Sequence, residues 1–455
     1  MRVSFIIFSV LVFLFTSVNI KASEDDSSDS TKTENEEKIK EGFNFGGLPV
    51  LGYNTDIGFQ YGLILNVFNY GDGTYYPEYK YSFYAEVSRS TLGNGVNQLF
   101  FDSKHLLPNQ IRITSDLSYL TERTLNFYGF NGYDAVYNSE FEIDTDPEYI
   151  SRVFYRHERK FLRFTLDFQG KMFSKKILWL AGLGYFSTNV ATVDIDRLNK
   201  GKKESKILPD TTLLYDHYVD WGIIKEDEKD GGKTPYFKTG VVFDTRDNEP
   251  NPMKGIWSEI LLFYTPKILG NHTHSYLKLA ITHRQYITLV KDKLSFVYRL
   301  GYQGTLAGSV PFYMQPYMIT SFSRVTSTDG LGGAKTLRGI LRNRVVGDGI
   351  AYGNFEVRWK FLKTVLWKQN IYLALNAFAD GGAVVNKIDF DINSNELPEN
   401  PDAYFAPGTE ASHWSVGGGF RIAMNQNFII AADYGIALDK RDGKDGIYIG
   451  IGYLF

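Results

Sequence analysis

Among its 455 residues the chain has no cysteine, which excludes a disulfide scaffold, a thiolate metal centre and a lipidated N-terminal cysteine. Charge of one sign is also lacking: 49 Lys and Arg stand against 52 Asp and Glu. A nucleic-acid partner is therefore not expected, because affinity for phosphate backbones rests on excess cations. Beyond the N-terminus there is no uninterrupted apolar run of the roughly twenty residues that a membrane helix requires, which excludes a polytopic helical protein. No G-x-S-x-G elbow is present, and Gly332-Gly333-Ala334-Lys335-Thr336 lacks the glycine before lysine that a phosphate loop needs. His272 and His274 have no third ligand nearby, and the stretch from Asp389 to Asn400 lacks the glycine and the glutamate of a calcium loop. Nothing points to an enzyme, and no cofactor is expected. Aromatic residues are plentiful instead, with 31 Tyr and 34 Phe beside 43 Gly.

Residues 1–22 have a basic start, a short apolar centre and a small residue, Ala22, at the end. This is the pattern of a cleaved secretory signal. Residues 23–41 hold eight acids, three lysines and no aromatic residue. Such a segment cannot bury enough apolar surface to offset its ordering entropy, so it predicts a disordered acidic tether on the periplasmic side.

From residue 42 onward the dominant period is two. Phe59, Tyr61, Leu63, Leu65 and Val67 alternate with small or polar neighbours, and so do Leu294, Phe296, Tyr298, Leu300 and Tyr302. The last segment reads Ile447, Ile449, Ile451, Tyr453 and Phe455 on the oily face, with Gly450 and Gly452 between. Most segments are about ten or more residues long, the length that crosses a bilayer at a tilt. The pattern predicts an all-β, sixteen-stranded antiparallel transmembrane barrel over 42–455. Its strands are expected at 43–53, 57–70, 79–90, 96–104, 110–121, 152–170, 176–191, 236–246, 255–265, 276–288, 293–304, 349–361, 371–383, 413–424, 428–437 and 446–455. The four longest links, 122–151, 192–235, 305–348 and 384–412, all follow odd strands. Short periplasmic turns and long outer loops give that parity, and an even strand number returns both termini to the periplasm.

Three segments interrupt the pattern. Asp244-Thr245-Arg246-Asp247 leads through Pro252 to Gly255; the long loop 305–348 carries Leu337-Arg338-Gly339-Ile340 and runs on to Glu356 and Arg358; and Phe378, Asp380 and Gly382 lie on the polar, inward face of strand thirteen. With the terminal Phe455, this ordered set resembles the outer-membrane assembly and translocation barrels of the BamA/TamA and two-partner-secretion type, the bacterial surface antigen family. The resemblance covers the barrel alone, without the folded periplasmic domains of the best-known members. It implies that the loop between strands eleven and twelve folds into the lumen, where Arg338 bonds Asp380 with Glu356 and Arg358 as neighbours. The tip departs from the family in having Leu337 and Ile340. Phe455 is similar to the signal by which such barrels are themselves assembled.

Gly46, Gly47 and Pro49 in strand one predict a short seam with the last strand, because proline cannot donate to a ladder and glycine packs poorly. The resemblance implies an integral protein of the cell outer membrane in a Gram-negative bacterium. Its function would be protein or lipid insertion or translocation through a gated lumen or that seam. Expected partners are outer-membrane lipid and lipopolysaccharide, a client polypeptide, a periplasmic protein or a second copy, and the cell's own barrel-assembly machinery. The alternative is a passive pore or structural anchor without insertase activity.

Overall fold

The computed structural model describes residues 39–455 except 77, 250, 322–328, 367–368, 391–399 and 425–427, and leaves undescribed the side chains of 366, 369 and 428. The expected signal segment and residues 23–38 of the expected tether lie outside the described residues.

Sixteen antiparallel strands close into one barrel, each paired with its neighbours in sequence and the last with the first. They are β1 (Phe43–Asn54), β2 (Gly58–Asn69), β3 (Tyr81–Ser90), β4 (Gly95–Ser103), β5 (Arg112–Asn126), β6 (Arg156–Ser174), β7 (Ile177–Ala191) and β8 (Gly231–Asp244). The second half comprises β9 (Gly255–Thr265), β10 (Tyr276–Val290), β11 (Leu294–Gly308), β12 (Gly349–Leu366), β13 (Gln369–Asn386), β14 (His413–Met424), β15 (Phe428–Ala437) and β16 (Asp445–Ile451).

The period-two pattern sorts side chains as a membrane barrel requires. On the outer wall Phe83, Val87, Leu99 and Leu117 are 47–59% exposed, a band that water would not tolerate and hydrocarbon would. On the inner wall Asp116, Ser118, Arg163 and Thr165 are buried. Where the expected strands fell short, the pattern had been cut too early. β12 and β13 extend to Leu366 and from Gln369, so the link expected at 362–370 shrinks to two residues.

Both ends of the strand series lie at the short-turn end of the barrel. At the opposite end the long loops are folded. Residues 192–230 include helices Ile195–Asn199 and Leu214–Asp220, which strand periodicity did not anticipate. Phe127, Phe154, Tyr215, Tyr218, Phe312 and Tyr313, drawn from three loops and their bases, form one aromatic core over the barrel mouth.

The final strand corrects the expectation. β16 ends at Ile451, and Gly452 takes a φ of +90° that turns the chain off the wall. Tyr453 and Phe455 therefore do not face outward. Phe455 packs inside the lumen with Tyr286 and Val297, its ring 5.1 Å from the guanidinium carbons of Arg299 and Arg358. Two cations over one ring favour this position electrostatically, whereas the lipid side offers only dispersion contacts.

Candidate functional site

The described residues of loop 309–348 pass down into the barrel. Its tip is shaped by its own backbone: Leu331 and Val345 exchange hydrogen bonds of 3.0 and 3.1 Å, and the Gly333 amide donates to the Ile340 carbonyl at 2.9 Å. The departures from the family pattern prove to be well packed. Leu337 and Ile340 are buried with Met318, Leu331, Val345, Ile350 and Val384.

Arg338 projects from this tip onto the wall. Its Nε and Nη2 donate to the two Asp380 oxygens at 2.8 and 3.0 Å, and its own amide donates to Oδ2 at 3.1 Å. Asp380 sits inward because β13 alternates, with Phe378 two residues away on the same face. The Phe378 ring lies 3.5 Å below the Arg338 guanidinium carbon. Nη1 is 2.7 Å from Glu356 and 3.4 Å from Asp433. Arg358 in turn donates to Glu356 at 2.7 Å and to a main-chain oxygen of Phe455 at 3.2 Å. A planar guanidinium held by two oxygens of one carboxylate fixes both position and orientation. The buried charges are compensated by geometry rather than by solvent.

Gly339 follows directly, with a φ of +92°, and a Cβ there would stand 2.5 Å from the Gly435 carbonyl carbon on β15. Its amide donates to the Tyr448 hydroxyl of β16 at 2.9 Å. The third glycine of the set, Gly382, leaves room for Leu331 and Leu337, which a Cβ would meet at 2.8 and 3.2 Å.

Several partners had no part in the sequence expectation. Asp433 is bonded by Arg421 at 2.8 Å through each oxygen. Asp329 and Glu122 hold Arg159 and Arg342 in a second four-residue network, with contacts of 2.6–3.4 Å. Arg344 donates to the carbonyls of Gly132, Ala135 and Arg441 at 2.8–3.0 Å. Inward parity on β15 would have pointed to Asp433. Nothing local points to Asp329, which depends on where the loop crosses the lumen.

The turn between β8 and β9 has the expected residues in structural roles. Asp244 accepts from Arg246 Nε and Nη2 at 3.0 and 2.8 Å. Asp247 Oδ1 accepts the amides of Met253 and Lys254 at 3.0 and 3.2 Å. Pro252 is buried, and at Gly255 a φ of +112° lets the chain re-enter the sheet where a Cβ would stand 2.3 Å from the Thr245 carbonyl oxygen. This turn lies at the short-turn end of the barrel, and none of its residues bonds Arg338 among the described residues.

The seam is short, as expected, and lies near the loop end. β1 and β16 pair at Tyr53 with Ile449 and at Asn54 with Tyr448, and Thr55 adds backbone and hydroxyl bonds to Ile447 of 2.8–3.3 Å. Gly46, Gly47 and Pro49 belong to the stretch of β1 that is paired with β2 and has no ladder partner on β16. A Cβ on Gly46 or Gly450 would meet nothing within 4 Å. Gly452 is the turn that removes the tail, and so is not part of the seam's ladder.

A family model for the Omp85 superfamily domain matches residues 81–455. Two solved structures share the architecture. The first is BamA from Haemophilus ducreyi lacking POTRA domains 1-3, at 14% identity and a TM-score of 0.53, with 91% of this chain and 71% of that one covered. The second is CdiB from Escherichia coli, at 11% identity and a TM-score of 0.51, with 90% of this chain and 62% of that one covered. At these identities the likeness is one of fold. No curated protein sequence matches this chain.

Proposed function

We propose, from the premise that this chain belongs to the Omp85 superfamily, that it inserts or moves polypeptide or lipid at the outer membrane by way of the β1–β16 seam, with loop 309–348 as the plug of its lumen. Both termini then face the periplasm and the aromatic cap faces outward. The activity is mechanical and makes or breaks no covalent bond.

The observation that carries this reading is the ladder of two residue pairs between β1 and β16. Among the described residues the next shortest, β15–β16, holds seven. Ten residues of β1, Phe43 to Gly52, are left without a β16 partner. Alternate residues of an antiparallel edge turn their N–H and C=O outward, so about half of these groups face a gap. In hydrocarbon each unpaired group costs several kcal/mol. An edge like this is stabilised by another strand, and a client strand meets the requirement. The pore alternative is less favoured, because the Arg338 tip of the plug and the Phe455 ring both occupy the lumen.

The test uses the absence of native cysteine. Extending the register from Tyr53 and Ile449 places Leu51 opposite Ile451. A Leu51→Cys/Ile451→Cys pair, oxidised in cells depleted of the native protein, should halt delivery of the affected envelope components, and reductant should restore it. Unchanged delivery with the seam cross-linked would refute the reading.

A further inference from the structure

The outer wall of β3 to β6 carries a second organised cluster of charge, distinct from the lumen. One lateral row runs Arg89, Gly95, Thr121, Lys160 and Asn189 across β3 to β7. The next outward row toward the short turns is Val87, Asn97, Tyr119 and Leu162, and the one after it Ala85, Leu99, Leu117 and Phe164. Arg89 and Lys160 therefore stand where the apolar band ends. Arg123, two residues beyond Thr121 on the outward face of β5, joins them from above.

All three cations are exposed, and none has a carboxylate partner among the described residues. Arg89 donates to the carbonyls of Ser88 and Val96 at 2.7 and 3.2 Å and to Asn97 Oδ1 at 3.0 Å. These are neutral acceptors that orient the guanidinium without cancelling its charge. Glu158, one outward position further along β6, is ion-paired with Arg197, as is Asp194 at 3.5 Å. Two glycines seat the long side chains. A Cβ on Gly95 would stand 3.3 Å from Arg89 Cδ, and one on Gly93 would stand 3.0 Å from both Cβ and Cδ of Arg123. From Arg89 to Lys160 is three strand spacings, about 14 Å.

Like charges gathered at a low-dielectric boundary repel one another unless an anion lies between them. Because they border hydrocarbon, the fitting anion carries acyl chains. We propose that this wall is a binding site for a lipid headgroup bearing more than one phosphate, with Arg89, Arg123 and Lys160 as its phosphate ligands and the apolar rows beneath them as the seat of its chains. Arginine and lysine bind phosphate through charge-assisted hydrogen bonds. The site lies on the third to sixth strands from the seam, on the β1 side of it.

The experiment is native mass spectrometry of the detergent-purified full chain with a bis-phosphorylated glycolipid, with zwitterionic phosphatidylethanolamine as the comparison lipid. The bis-phosphorylated lipid should be retained selectively, and the Arg89→Gln/Arg123→Gln/Lys160→Gln variant should lose affinity on the order of a hundredfold, given roughly fivefold per surface cation. A Lys175→Gln/Lys176→Gln control at the short-turn end should bind as the unaltered protein does. Equal retention by the triple variant would overturn the proposal, and so would equally tight binding of inositol hexakisphosphate, which carries phosphates but no acyl chains. If the triple variant does not fold, a photoreactive bis-phosphorylated lipid on the unaltered protein decides the matter. Labelling concentrated on β3–β6 supports the site, and labelling spread evenly around the barrel refutes it.

Discussion

The β12–β13 pair and the β1–β16 pair are both neighbouring antiparallel strands of one sheet, yet the first holds seventeen residue pairs and the second two. The long ladder also carries the plug's anchors, Glu356 on β12 and Asp380 on β13, both buried. Among the described residues the short one gives the plug a single hydrogen bond, from the Gly339 amide to Tyr448 at 2.9 Å. The longest ladder and the bidentate grip on Arg338 thus fall together on β12 and β13. The other pair is closed by a few bonds near the loops and is open over most of β1. The strand pair that grips Arg338 bidentately is thus not the pair that must part.

The largest effect expected from breaking this contrast is at Arg338. Arg338→Ala leaves Asp380 and Glu356 buried without their shared cation, a loss of about 3–5 kcal/mol of plug anchoring. Trypsin should then reach Arg342 and Arg344, while hydrogen exchange in the β12–β13 ladder stays slow. Continued resistance to trypsin would mean that the second network, around Arg159 and Asp329, anchors the plug instead. A smaller loss, about 1–3 kcal/mol, is expected for Gly339→Ala, since a left-handed backbone and a close approach to Gly435 both oppose a side chain. Gly450→Ala, with nothing within 4 Å of its Cβ, should leave the unfolding temperature in detergent unchanged. Equal shifts for the two would erase the distinction between plug side and seam side.

The smallest effect is a matter of pH. Asp56, in the β1–β2 turn, is half-buried against the plug beside the Ala334 amide and Arg342, and burial pushes its carboxyl up to about 6. A carboxyl raised above its ordinary value near 3.8 favours the folded contact when protonated, so the contact gains strength as pH falls through 6 and loses it above. Spin labels at Thr55→Cys and Lys335→Cys should report a tighter distance distribution at pH 5 than at pH 8. Asp56→Asn should make the two distributions alike. A pH response that persists in Asp56→Asn would assign it to another group.

Much of this was legible before any coordinates. Three strands, 255–265, 413–424 and 428–437, have the bounds that periodicity gives them, because a membrane strand has two solvents and each residue must choose one. Arg338 and Asp380 could be paired through family order, and inward parity placed Asp380 correctly. The tail could not be read in the same way. Phe455 continues the oily alternation of β16, but Gly452 breaks the strand, and Arg299 and Arg358, from β11 and β12, draw the ring inside. Alternation tells which face a residue takes while the strand lasts, and says nothing of where the strand ends. Asp329 was missed for a related reason, since its partner Arg159 comes from a strand remote in sequence.

The amino-acid order by itself determined the number of strands, their alternating faces and the end of the barrel that carries the long loops. These follow from local choices between hydrocarbon and water, made every two residues. Only the tertiary structure decided which charges neutralise one another inside, that Arg89, Arg123 and Lys160 gather on one outer wall, and how little of β1 meets β16. Those outcomes depend on distances across a closed sheet, and closure brings together residues that no local pattern relates.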